Sequence, residues 1–147
     1  MKNVWLIGTL VLAIVVAAAV FTAFYTGEKS KVIVAGKIRV APHLQKQAQH
    51  IRILYIVLRD AQAMHPMPYG AYVDRTGNFS FMLTKDNIQL MGAGASAEPT
   101  TLNIKARLDK DGRAGIDQQG DLVGELTGIA TGTTDVEIVI NRAIQAE

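Results

Sequence analysis

The chain has 147 residues, room for one domain of ordinary size, with 49% hydrophobic but only 6% aromatic and 19% charged residues and a formal net charge of +2. The hydrophobic excess is local: in residues 4–25 only Gly8, Thr9 and Thr22 are not hydrophobic, which excludes a polytopic membrane protein, a disordered chain and a purely soluble one. No cysteine is present, which excludes a disulfide scaffold, a thiol redox enzyme, thiolate-bound zinc, iron–sulfur clusters and covalently attached haem c.

As a helix, residues 4–25 would reach about 33 Å, enough to cross a hydrocarbon core of about 30 Å. Trp5 near one end and Phe24 with Tyr25 near the other suit the two interfacial belts. A cleaved signal peptide, with Lys2 before the apolar run and Ala17-Ala18-Ala19 as the processing site, is the competing reading. The run is longer than a usual signal core and continues past that site, so a retained anchor over residues 1–27 is expected. Counting Lys29, Lys31, Lys37 and Arg39 after the helix would keep the C-terminal part in the cytoplasm, whereas an uncleaved signal anchor would export it. Ala13/Ala17 and Ala19/Ala23 stand four residues apart, a small-residue spacing that lets membrane helices approach closely.

From residue 28 to 147 the pattern changes to short alternating segments. Residues 32–40 read as a strand broken by Gly36, and residues 43–49 as a polar stretch of one helical turn. Residues 51–58 form the strongest strand signal, apolar on both faces for half its length, which predicts the centre of a covered sheet. Met64-His65-Pro66-Met67-Pro68 is a loop, because proline cannot join a strand ladder. Further strands are predicted over 69–74, 79–84, 102–108 and 135–140, with turns at 75–78 and 109–112 and a small-residue loop at 92–99. The total of six or seven short strands predicts an antiparallel β-sandwich or related barrel.

Charge is unevenly spread. Residues 28–60 carry seven Lys/Arg against two Asp/Glu, and residues 98–147 carry five against nine. The basic part is read either as a face resting on anionic headgroups or as a solvated face. Catalysis finds little support: Ser30, Ser80 and Ser96 lack a nucleophile-elbow context, and His43, His50 and His65 lie on polar stretches. Asp109-Lys110-Asp111-Gly112 starts like a calcium loop, but its glycine comes too early, so it reads as an acidic turn. Met64, His65 and Met67 are a weak copper(I) candidate, with Met82 or Met91 as further thioethers; the competing reading is methionines capping the core. Asp121 is expected to cap a turn over 120–124.

The exported part resembles the C-terminal periplasmic domain of the CcmI/CycH type of cytochrome c biogenesis protein. The resemblance runs over residues 32–142. It rests on Val34-Ala35-Gly36-Lys37-Ile38-Arg39-Val40, the strand at 53–59, Pro66-Met67-Pro68, and Phe79-Ser80-Phe81-Met82-Leu83-Thr84-Lys85-Asp86. Ile104-Lys105-Ala106-Arg107-Leu108 and Gln119-Gly120-Asp121-Leu122-Val123-Gly124 complete it, in the family's order. That family usually carries two membrane helices, a heptad-bearing cytoplasmic loop and a tetratricopeptide-like array ahead of this domain; here one helix is expected in their place. The family's Pro-Leu-Ala is replaced by Pro68-Tyr69-Gly70-Ala71.

The resemblance implies fold, export and a cytochrome-associated setting, but not apocytochrome capture. The expected function is a non-catalytic binding and assembly module in the bacterial inner membrane, its β domain in the periplasm. Expected partners are the lipid bilayer and a protein of the haem maturation machinery or of a respiratory cytochrome complex. No cofactor, nucleic acid or small-molecule substrate is expected. A permanent accessory subunit with no maturation role is the alternative, and a copper handler the less favoured one. Candidate partner contacts are Pro66, Met67, Pro68 and Tyr69 in the loop, and Gly120, Asp121, Leu122 and Gly124 in the later motif.

Overall fold

The computed structural model describes residues 30–64, 67–92 and 97–145. The expected anchor, with Ala13, Ala17, Ala19 and Ala23, lies outside these residues, as do His65 and Pro66. Among the described residues no helix is long and apolar enough to cross a membrane.

The elements in order are β1 (Val32–Val40), a 3-10 turn (Pro42–Leu44), α1 (Gln45–Ala48), β2 (Ile53–Asp60), β3 (Pro68–Asp74) and β4 (Ser80–Thr84). Then come β5 (Gln89–Leu90), β6 (Thr101–Asp109), β7 (Leu122–Ala130), β8 (Thr133–Ile140) and β9 (Arg142–Ala143). They form a three-stranded sheet, β4-β1-β8, and a six-stranded sheet, β5-β3-β2-β6-β7-β9. The expected mainly-β, two-sheet architecture is present. One expectation of pattern changes: β1 and β8 pair in parallel, while every other pair is antiparallel.

The core lies between the sheets. Ile33, Val34, Leu83, Ile138 and Ile140 come from the small sheet; Leu54, Ile56, Leu58, Leu102, Ile104, Leu108 and Leu122 come from the large one. Alternation explains most of this, because period-two apolar positions share one face of a strand. At the centre of β2 both faces are covered, as its pattern predicts: Leu54, Tyr55, Ile56 and Leu58 are buried, while Ile53 and Val57 are half-buried.

Gly36 does not break β1. A Cβ there would lie 2.0 Å from the carbonyl oxygen of Val136, so the absence of a side chain is what lets β8 lie alongside. Gly120–Gly124 is likewise a turn only at its start. Gly120 has φ +93°, in the left-handed region that glycine tolerates, and Leu122 already begins β7. The strand β7 escapes sequence reading because only its first three residues are buried; past them Thr127 and Gly128 break the alternation.

Hydrogen bonds across strand ends define two poles. At the pole where the chain enters, Gly132 donates to Ile33, Thr131 to Thr100, Ala61 to Thr101 and Met91 to Tyr69, all through backbone groups. At the far pole, Ala41 donates to Ile140, Asn141 to Val123 and Gly120 to Ile144. The nine residues of β1 separate the two poles by about 26 Å at strand rise.

Candidate functional site

At the far pole the connection between β6 and β7 folds back over the outer face of the large sheet. Arg107 holds it there. Its Nη1 donates to the Gly115 carbonyl at 2.9 Å, and its Nη2 donates to the Arg113 carbonyl at 3.3 Å and lies 2.8 Å from Asp109 Oδ2. Its Nε lies 3.8 Å from Asp121 Oδ2 and makes no hydrogen bond. The guanidinium carbon sits 5.0 Å from the ring centroid of Tyr55, its cross-strand partner on β2. Lys105 adds an ion pair to Asp117 at 2.5 Å. This arrangement explains why Tyr55 is buried although, among the described residues, no further sheet lies over that face.

Each aspartate also ties backbone. Asp109 Oδ1 accepts from the Gly112 N–H at 2.5 Å, so the residues that begin like a calcium loop cap a turn instead. Asp121 accepts from the N–H groups of Lys110 and Gln118, at 3.0 and 2.8 Å, and so closes both arms of the connection. Burial pushes the Asp109 carboxyl above its ordinary value, and neighbouring Asp121 adds to this, against the Gly112 N–H and the Arg107 charge. Burial also works against the Asp117 carboxylate, but hydrogen bonds and charge from Lys105 and Arg107 prevail and hold it below its ordinary value. Arg107 and Lys105 thus face three aspartates, and Arg107 offsets charge on more than one carboxylate. Among the described residues no three His, Asp or Glu side chains converge as a metal site.

Also at the far pole, an open groove of about 400 Å³ runs between the end of β1, in the small sheet, and α1. Ile38, Val40, Ala48 and Phe79 give it an apolar floor and wall, while Arg39, Gln45 and Gln49 supply charge and amide groups. Sequence explains its charge: no acidic residue occurs between Glu28 and Asp60. Arg39 and Lys37 meet Glu137 on β8 at 2.8 and 3.6 Å, so part of the basic excess is answered from the acidic half of the chain. Lys46 and Arg52, next to the groove in sequence, have no ion-pair partner among the described residues.

The residues singled out from sequence fall at both poles. Asp121 and Leu122 are fully buried, and a Cβ on Gly124 would lie 2.2 Å from the Val139 carbonyl oxygen. These three, with the turn residue Gly120, build the junction of β7 with β8 and β9, and burial leaves Asp121 and Leu122 no surface for a partner. Tyr69 is also buried, its hydroxyl without a hydrogen bond, so it is a core residue and not a loop contact. Pro68 begins β3 and is half-buried. Met64 and Met67 are 98% and 63% exposed, so they do not cap the core. Sequence reasoning misses the Arg107 cluster and the groove. Their signals are an arginine and an aspartate interleaved with the apolar positions of β6, and a long acid-free stretch, each of which also fits a solvated face.

The model of the cytochrome c-type biogenesis protein H Ig-like domain matches residues 34–141. No curated protein and no solved structure matches the chain. The chain therefore belongs to the family of that Ig-like domain, and the cytochrome c biogenesis resemblance read from the ordered motifs is correct.

Proposed function

We propose that this member of the Ig-like domain family of cytochrome c-type biogenesis protein H is a non-catalytic docking module, tethered to the bacterial inner membrane by residues 4–25 with its β domain in the periplasm. Its protein partner, a component of the cytochrome c maturation machinery, takes the groove at the far pole. The observation that carries this reading is the groove itself: an apolar floor bordered by Arg39, Gln45 and Gln49 in a stretch free of acidic residues. Apolar surface supplies affinity, while the side-chain amides of Gln45 and Gln49 recognise peptide groups beside Arg39, which Glu137 holds in place. Its position also supports the tether. The chain enters at the opposite pole, so a partner about 26 Å further out meets no membrane.

The test is photo-crosslinking in cells from the full chain, with the crosslinker at Gln49 or Phe79 and a control at Ile116, which is 80% exposed. Adducts with cytochrome c maturation proteins from the first two positions and not from the third are expected. Recovery of the chain without any maturation protein or cytochrome would overturn the reading. Adducts solely with respiratory complex subunits would replace it by a permanent accessory role.

A further inference from the structure

The entry pole carries a second surface of opposite character. Met64 and Met67 are 98% and 63% exposed, and Leu90 and Met91 are 43% and 37% exposed. Backbone pairing brings Met67, Leu90 and Met91 to one corner of the sheet, and Met64 lies in the loop that leads to it from β2. Leu90 pairs with Gly70, the Met91 N–H donates to the Tyr69 carbonyl at 2.9 Å, and Pro68, directly after Met67, pairs with Arg59 at the end of β2. Four exposed apolar side chains gathered at one corner and the loop leading to it differ from the scattered single ones that need no explanation.

The charges around it are already satisfied within the domain. Glu98 lies between Lys31 at 2.9 Å and Lys85 at 3.3 Å, and hydrogen bonds from these two lysines hold its carboxyl below the ordinary value despite partial burial. Ser30, the first described residue, donates to Asp86. The chain therefore enters the domain beside the rim. Residues 26–29 leave at most about 18 Å between Tyr25, the end of the apolar run, and Ser30.

We propose that Met64, Met67, Leu90 and Met91 form a rim that rests in the interfacial layer of the lipid bilayer, seating the domain upright on its own tether. This rests on the tethered reading above. The bilayer is favoured as occupant by where the apolar run ends: a short connection holds this corner within reach of the interface and holds the groove away from it. Methionine suits the task, since its unbranched thioether conforms to an irregular, mobile surface.

The chain has no cysteine and one tryptophan, Trp5, so two independent reporters are available in one molecule. Full chain carrying an environment-sensitive fluorophore at Met64→Cys or Met67→Cys is reconstituted into phosphatidylethanolamine–phosphatidylglycerol vesicles, with and without brominated acyl chains. Arg113→Cys, exposed at the far pole, is the control. A blue shift with bromine-dependent loss of intensity at 64 and 67, absent at 113, is expected together with quenching of Trp5. Quenched Trp5 with labels at 64 and 67 that behave like 113 would overturn the rim while leaving the tether. A blue shift without bromine quenching would also overturn it, because the rim would then be covered by protein. Unquenched Trp5 would overturn the tether and the rim with it.

Discussion

The two poles close their loops by different means. At the far pole, the connection between β6 and β7 is fastened by Arg107, Lys105 and three aspartates; Arg107, Asp109 and Asp121 are removed from water, while Lys105 and Asp117 are partly exposed. At the entry pole, the connection between β2 and β3 turns on Asp60, which accepts from the Gln62 N–H at 2.9 Å, and then presents Met64 to solvent. One pole uses charge inside and the other leaves apolar groups outside. The difference teaches that burial, and not residue type, decides which end is structural scaffold and which end is surface.

The sharpest way to break this contrast is to remove the far-pole cation. Arg107→Leu leaves Asp109 and Asp121 buried without their counter-charge, and loss of one partner from such a site costs about 3–5 kcal/mol. The loss depends on pH in a defined direction. The Asp109 carboxyl lies above its ordinary value of 3.8 when folded, so the fold favours its protonated form more than the unfolded chain does, and removing the Arg107 charge, which opposes this, raises it further. Its contribution is fully present below that value and is lost as the pH rises through the folded one. Urea unfolding of the full chain in detergent should therefore show a larger deficit at pH 7 than at pH 4. Equal deficits would mean that Arg107 acts through packing on Tyr55 and not through charge.

A smaller effect is expected at the sheet junction beside the cluster. Gly124→Ala would place a Cβ 2.2 Å from the Val139 carbonyl oxygen and 2.9 Å from the Ile140 Cα. Both are backbone, so no side-chain rotation relieves the contact, and β7 and β8 must separate. Overpacking of this kind costs about 1–3 kcal/mol. The urea midpoint should fall with an unchanged slope. An unchanged midpoint would show that β8 is free to shift, and would remove the reason for a glycine in the GDLxG motif.

The same contrast governs how much of the molecule is legible in its sequence. Apolar runs and period-two alternation between turn signals are enough to find β1, β2, β3, β4, β6 and β8, although β1, β2 and β6 also bury consecutive side chains. They miss β5 and β9, two residues each, and most of β7, whose hydrogen bonds to β6 hold residues that are not buried. The parallel β1–β8 pair is not legible either, since pairing partners far apart in sequence leave no local mark. The clearest misreading is functional. A motif makes Asp121, Leu122 and Gly124 look like partner contacts, yet they form a junction inside the domain. Arg107 reads as part of the polar face of β6, although the connection folds over that face and buries it.

The smallest expected effect lies at the entry pole. Met64→Ser with Met67→Ser removes two exposed thioethers that contribute no described packing, so stability in detergent should stay within about 0.5 kcal/mol of the parent. The same double variant, rebuilt in vesicles, tests what those side chains are for. A rim that seats the domain on lipid gives its substitution no cost in micelles, where the interface is remade around any shape. In a bilayer it should loosen the domain, read as greater proteolysis after Lys29 or Lys31, near the short connection to the apolar run. A fall in detergent stability would instead place the methionines in the scaffold and erase the difference between the poles.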